Sequence, residues 1–398
     1  MISFDKALDI VVTSAQKFED VSVPLAKADG RILAEDISAD RDFPPFNRAT
    51  RDGIAVQING DTPNKSYTIE GIAPAGTPQQ ELSDENHCLE IMTGAIVPKN
   101  ANAVIMYEHL VIEEGRAVIK EKVITGQHIH LKGSDEKKGS LLLKSGTKLT
   151  AAEIGVLASV GKSTVVVKKN PRVTIFSTGD ELVPVAQEPE LHQIRQSNSH
   201  SLRAALLEKG ITSKIIHIVD NADRIKKALT EAFQDSDVVL MSGGVSRGKF
   251  DHIPSVLEEL GVIKRFHRVL QQPGKPFWFG SHEASSTTIF GFPGNPASTF
   301  ANYHVYFLAW LRESFGLAHE EIQVVLDQKV KNTSDLTRFL RAKVTFSKGT
   351  WKAALIVENG SGDLTSLAQS NGFIKVNPYQ ELNVQELVTF IPTRNFGI

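Results

Sequence analysis

Cysteine is nearly missing from this chain. Cys88 is the only one among 398 residues, which excludes an intrachain disulfide framework and any zinc site built on several thiolates. A dominant charge is missing too: with 44 basic and 46 acidic residues the formal net charge is −2, so no overall field draws nucleic acid or an anionic membrane, and any basic site has to be local. No apolar run is long enough to span a bilayer, and the opening Met1-Ile-Ser-Phe-Asp-Lys-Ala-Leu-Asp9 carries acid early, without the basic and apolar regions of a signal peptide. From these absences we expect a soluble, cytoplasmic protein with no nucleic-acid or membrane partner.

What is present is 41% apolar residues, enough at this length to bury more than one core. Residues 3–18 read as an amphipathic helix, with Ala7, Leu8, Ile10, Val11, Val12 and Ala15 on one face. From about Phe43 to Leu143 the pattern changes to short alternating strands broken by Gly, Pro and Asn, at 53–58, 67–72, 103–106, 110–112 and 117–119. A helix at 151–161 and a strand at 164–167 lead to Asn170-Pro171, a natural boundary because proline disfavours continuation. Strands at 173–177, 214–219, 237–241 and 288–292 then alternate with helices at 202–209, 224–233, 253–260 and 297–315, which predicts a parallel sheet covered on both faces. After residue 321 period-two alternation returns, predicting a small β-barrel or sandwich.

The expected fold class is therefore α/β plus β, multidomain. It comprises a discontinuous scaffold domain (1–42 and 144–170), a β-rich insertion (43–143), a three-layer α/β domain of nucleotide-binding kind (171–320) and a C-terminal domain taken as a β-barrel (321–398).

The segment Asp237-Val-Val-Leu-Met-Ser-Gly-Gly-Val-Ser-Arg-Gly-Lys-Phe-Asp251 carries the most chemistry. A buried-strand run empties into a glycine-rich turn before a helical pattern. Small residues at Ser242, Gly243, Gly244 and Ser246 let backbone N–H groups approach a phosphate, and the helix adds the positive end of its dipole. Gly243, Gly248 and Lys249 match G-x-x-x-x-G-K, but Phe250 stands where a hydroxyl should meet magnesium, so this is not a P-loop. The strand order collects further turns at the same sheet edge: Thr178-Gly-Asp-Glu181, Asp220, Gly274-Lys275 and Pro293-Gly-Asn-Pro296. Backbone amides and Lys275 suit a phosphate or another oxyanion, while Asp180, Glu181, Asp220 and Asp251 suit a divalent metal or ribose hydroxyls.

The ordered set Phe43-Pro-Pro-Phe46, Arg51-Asp-Gly-Ile-Ala-Val56, Met92-Thr-Gly-Ala95, Ser177-Thr-Gly-Asp-Glu-Leu182, Ser242-Gly-Gly-Val-Ser246, Pro273-Gly-Lys-Pro276 and Gly291-Phe-Pro-Gly-Asn-Pro296 resembles the molybdopterin molybdenumtransferase family, and is similar to the E domain of gephyrin. The resemblance implies an elongated, four-domain homodimer that takes adenylated molybdopterin, uses Mg2+, inserts molybdenum from molybdate and releases AMP. It implies catalytic roles for Asp52, Thr93, Asp135, Glu181, Asp220 and Asp251, with Glu181 and Asp251 as metal ligands. It implies that Ser242, Gly243, Gly244 and Ser246 hold the nucleotide side, and that Lys275, Pro276, Ser298, Arg341 and Ser361 hold molybdate. By the same likeness the β-rich insertion, with Asp52, Thr93 and Asp135, completes the partner subunit's cleft. A molybdopterin adenylyltransferase and molybdoenzyme acceptors are the partners so implied.

This sequence also departs from the family pattern. Gln272 stands where the family commonly has a lysine, with Arg265 and Arg268 nearby as substitutes. Arg51 and Ile54 replace the usual Met and Tyr around Asp-Gly, and His128 and His130 stand in text that is usually arginine-rich and are expected to be surface residues at a strand end. The alternatives are a divergent paralogue handling tungstate or another nucleotide-linked substrate, and a non-catalytic dimeric scaffold.

Overall fold

The computed structural model describes residues 1–59, 66–245, 252–318 and 321–394. Two compact units emerge, one of residues 22–29 and 33–166, the other of 1–21, 30–32 and 167–398.

In the smaller unit a six-stranded sheet runs in the order Ala103–Met106, Gly53–Val56, His87–Ile91, Ser66–Ala73, Arg116–Ile119, Leu110–Glu113. Its alternation works as period two demands. Ile54, Val56, Tyr67, Cys88 and Ile105 pack into one apolar cluster, whereas Ala55, Leu89, Ile91 and Val104 pack into another. The strand at His87–Ile91 was not anticipated, although it lies between Gly53–Val56 and Ser66–Ala73. The helix at Ala151–Ser159 starts on a capping box in which Glu153 accepts from the Thr150 N–H at 2.8 Å.

In the larger unit the α/β sheet runs Ser213–Ile218, Val173–Thr178, Val238–Ser242, Thr287–Phe292, Trp278–His282, Ile263–His267. The first four strands are parallel as expected; the last two are antiparallel additions that the alternation did not reveal. Alternate side chains feed two clusters. Ile175, Leu240 and Phe290 join Leu202 and Leu206 in one, and Phe176, Val239 and Ile289 join Ile225, Leu229 and Val256 in the other.

The opening helix is shorter than its apolar pattern suggests, Phe4–Thr13, with Phe4, Ala7 and Val11 buried. Hydroxyls end it: Thr13 Oγ1 donates to Asp9 O (2.8 Å) and Ser14 Oγ to Ile10 O (2.6 Å), taking up carbonyls at the last turn. The long helix expected at 297–315 is interrupted. Pro296–Asn302 and Leu308–Ser314 are α-helical, while Tyr303–Phe307 widens to a π-helical turn whose five residues are all buried.

The C-terminal strands close on themselves. Thr337–Ser347 pairs with Thr350–Leu355, which leads through Ile322–Leu326, Leu387–Pro392 and Gly372–Val376 back to Thr337–Ser347. One strand came as a surprise: Val269–Gln272 leaves the α/β run and pairs in parallel with Thr337–Ser347.

Candidate functional site

Three turns meet at the carboxyl edge of the parallel strands. Gly243 and Gly244 sit at φ +95° and +67°, conformations that strain other residues, and the Gly243 N–H donates to Phe292 O at 3.2 Å. A Cβ on Gly243 would lie 2.7 Å from Thr178 O, and one on Gly244 would lie 2.8 Å from Thr178 Oγ1. The glycines are needed because the turn is pressed onto the end of the neighbouring strand. Thr178 Oγ1 itself is buried and has no hydrogen-bond partner among the described residues.

Asn198, which the motifs did not single out, joins these turns. Its Nδ2 donates to Ser242 Oγ at 2.8 Å and to Gly294 O at 2.7 Å, so the first residue of the Asn198–Leu207 helix ties the 242–244 turn to the 293–295 turn. Asp180 Oδ1 accepts the Asp220 N–H at 3.0 Å, bringing two further predicted positions together. Glu181 is exposed, and its carboxylate folds back over Gly179: a Cβ there would lie 2.4 Å from Glu181 Oε2. Ser246 and Asp251 lie outside the described residues. Among the described residues no group of three His, Cys, Asp or Glu side chains gathers as a metal cage.

A second run of hydrogen bonds links the oxyanion candidates. Gly274 adopts φ +92°, and Asn302 Nδ2 reaches its carbonyl at 3.3 Å, fixing the Lys275-Pro276 turn to the Pro296–Asn302 helix that also carries the buried Ser298. Gln271, fully buried, donates to Pro273 O (2.9 Å) and to Asn302 Oδ1 (2.8 Å) and accepts from the Tyr306 hydroxyl. At the other end of that helix, Asn295 Nδ2 donates to Ser361 Oγ at 2.8 Å and the Ala297 N–H to Ser361 O at 3.0 Å. Arg341 is buried; its Nη2 donates to Gly360 O at 3.0 Å, its Nη1 to Ser366 Oγ, and its guanidinium meets Glu358 at 3.3 Å. The arginine thus holds the loop that presents Ser361. Arg265 pairs with Glu283 at 3.5 Å.

In the smaller unit Thr93 binds Asp52, and Asp135 is linked through His130 to Arg48, at the start of the stretch that carries Asp52. Thr93 donates its N–H (2.6 Å) and its hydroxyl (2.8 Å) to Asp52 Oδ1, and these bonds, the N–H first, hold the Asp52 carboxyl below the ordinary carboxylate range. His130, expected to be a surface residue at a strand end, ends the Ile129–His130 strand and is engaged on both ring nitrogens: Nε2 lies 2.7 Å from Asp135 Oδ1 and Nδ1 lies 3.1 Å from Arg48 Nη2. Only the pairing of Ile129–His130 with Arg48–Ala49 reveals this.

The comparisons with known proteins agree from end to end. The MoeA N-terminal region (domain I and II) matches residues 2–161, a probable molybdopterin binding domain matches 174–313, and the MoeA C-terminal region (domain IV) matches 323–393. The molybdopterin molybdenumtransferase of a Synechocystis strain is 37% identical over 385 residues, covering 96% of each chain. The chain belongs to the molybdopterin molybdenumtransferase family. Within that family the Bacillus subtilis protein is 32% identical over 94% of this chain and 89% of its own. The crystal structure of the molybdopterin biosynthesis MoeA protein from Pyrococcus horikoshii superposes with a TM-score of 0.81 at 30% identity, covering 100% of both chains. Family membership accounts for the order of the seven motifs; the local hydrogen bonds show how this sequence holds them. Among the described residues no helix is long and apolar enough to cross a membrane.

Proposed function

We propose that the protein is a molybdopterin molybdenumtransferase acting in molybdenum cofactor biosynthesis, inserting molybdenum from molybdate into adenylated molybdopterin with release of AMP. The observation that supports this is that two turns suited to anions are anchored on the same stretch of one unit, the Ser242–Gly244 turn tied by Asn198 to Gly294 and the Lys275 turn fixed by Asn302 to the helix that carries Ser298. We assign the phosphate of the adenylate to the first, where the Thr178 hydroxyl, unpartnered among the described residues, lies against Gly244 while the Gly243 N–H is held by Phe292 O. Lys275 and Ser298, with Ser361 beside the helix start, orient the oxyanion at the second.

Magnesium fits the donor chemistry of this edge. Asp180, Glu181 and Asp220 supply the hard oxygen donors such a cation takes, and Glu181 with Asp251 is the pair we assign to it. When bound it supplies neutralisation of phosphate charge. Asp52, kept ionised by Thr93, and Asp135, oriented by His130, are proton acceptors for attacking water in this scheme. We read the active form as a homodimer that receives its substrate from a molybdopterin adenylyltransferase and passes product to molybdoenzymes, and residues 171–320 as a three-layer nucleotide-binding module.

The test incubates purified protein with adenylated molybdopterin, magnesium and molybdate, following AMP and pterin-bound metal. AMP release that needs magnesium and is suppressed in a folded Glu181→Ala variant supports the assignment; a folded wild-type protein that releases no AMP sinks it. Running tungstate in parallel separates the two oxyanions. Mixing Asp52→Ala with Glu181→Ala chains should restore part of the activity if the two clusters serve each other across subunits.

A further inference from the structure

One end of the closed C-terminal sheet holds a cavity of about 290 Å³ whose wall includes Lys329, Lys331, Arg338, Leu340, Leu355 and Glu358. Leu340 and Leu355 pack against the apolar core and line the cavity together with these polar groups.

The cations there are held differently. Lys329 and Lys331 both reach Glu381, Lys331 at 3.3 Å, and Arg341, which also borders the cavity, is engaged by Glu358 and Asp363. Among the described residues the Arg338 side chain makes no hydrogen bond or ion pair, and its Nε, like that of Arg341, is shut off from solvent without a partner. A guanidinium nitrogen withdrawn from water and left unpaired is unfavourable unless something arrives to accept its hydrogen.

The strand register places a second donor beside it. Val269–Gln272 runs parallel to Thr337–Ser347 with Gln271 opposite Thr337 and Gln272 opposite Arg338. In-register residues of neighbouring strands point to the same face. Gln271 and Thr337 are buried together, so Gln272 and Arg338 share the other face, three residues before Lys275.

We propose that Arg338, with Lys331 and Lys329 across the cavity and Gln272 beside it, binds a tetrahedral oxyanion, either molybdate or a phosphate group. A guanidinium offers two parallel N–H groups to such an anion, the lysines add charge without a fixed direction, and Glu358 and Glu381 hold the neighbouring cations in place. The site requires no nucleotide turn; it rests on the proposed activity only in naming molybdate.

Isothermal titration of the full-length protein with sodium molybdate and, separately, inorganic phosphate tests this at fixed ionic strength. Wild type, Arg338→Gln, Arg338→Lys, Lys331→Gln and Lys275→Ala are compared, with thermal unfolding to confirm folding. Arg338→Gln should weaken binding of at least one anion about tenfold or more, with partial recovery in Arg338→Lys. A loss confined to molybdate identifies the metal oxyanion, and a loss for phosphate identifies a phosphate group. Unchanged affinities in both Arg338→Gln and Lys331→Gln overturn the proposal, as does a wild-type protein that binds neither anion. If Lys275→Ala alone loses molybdate, the Lys275 site stands and this one falls; if Arg338→Gln alone does, the reverse holds. Anomalous scattering from molybdate-soaked crystals gives an independent answer, with a peak within hydrogen-bond reach of Arg338 expected and one confined to Lys275 overturning the assignment.

Discussion

Thr93 directs both its backbone N–H and its hydroxyl at a single oxygen of Asp52, at 2.6 and 2.8 Å. Both bonds favour the ionised carboxylate, so this exposed aspartate stays charged at lower pH than its type does. Thr93→Val removes the hydroxyl and keeps the N–H. The Asp52 carboxyl should then titrate closer to its ordinary 3.8, read by NMR of the side-chain carbonyl carbon. Because the folded pKa is lowered, the stability contributed is present above the unfolded value and disappears as pH falls through the folded one; Thr93→Val should diminish that loss. An unshifted Asp52 titration would show that the hydroxyl does not matter.

Asn198 predicts a coupling between fold and ligand binding. Asn198→Ala removes the bonds to Ser242 Oγ and Gly294 O. We expect a stability loss of about 1–2 kcal/mol in urea unfolding and AMP affinity lowered about tenfold, because the turns lose their common anchor. AMP binding as tight as wild type in calorimetry would mean that the glycine turn holds its shape without Asn198.

Two glycine substitutions in the smaller unit should have opposite signs. A Cβ on Gly53 would lie 1.8 Å from Ile105 O on the adjacent strand, so Gly53→Ala has to push two strands apart and should cost more than about 3 kcal/mol. Gly155 lies in the Ala151–Ser159 helix with nothing among the described residues within 4 Å of its Cβ position, and Gly155→Ala should stabilise by about 0.5–1 kcal/mol. Thermal unfolding of both variants checks the pair: a Gly53→Ala variant as stable as wild type would contradict the strand contact, and a destabilised Gly155→Ala variant would contradict the open helix position.

His304 gives a pH dependence. It is buried in the π-helical turn, its Nδ1–H donates to Phe300 O at 2.8 Å, and burial lowers its pKa from 6.5 to about 4. Below about 6.5 the unfolded chain binds a proton that the folded chain refuses, so this contribution to stability is full at neutral pH and lost between 6.5 and 4. The loss is of order 3 kcal/mol. His304→Phe should flatten that part of the stability-pH curve, whereas an unchanged slope from pH 7 to 4 would assign the acid sensitivity to other groups.

The sequence by itself determined whatever depends on local periodicity and chain order. Period-two runs such as 53–56 and 103–106, and the strand-helix alternation from 173 to 259, map onto observed elements because each buries a face its own spacing defines. The turn residues Gly243, Gly244 and Gly274 were legible for the same reason: a positive φ restricts the residue type at that position. The seven ordered motifs were enough to point to the family.

Tertiary structure alone decided who meets whom. His130 reads from sequence only as a strand-end surface residue; strand pairing sets it beside Arg48 and within reach of Asp135. Asn198 looked like an ordinary helix start until the sheet brought residues 242 and 294 to it, and Gln272 acquired Arg338 as a neighbour only because Val269–Gln272 crosses to the closed C-terminal sheet. Asn198 lies 44 and 96 residues from residues 242 and 294, Gln272 lies 66 from Arg338 and His130 lies 82 from Arg48, and local propensity carries no information over such separations. Strand register and side-chain packing, which depend on the whole fold, set those distances.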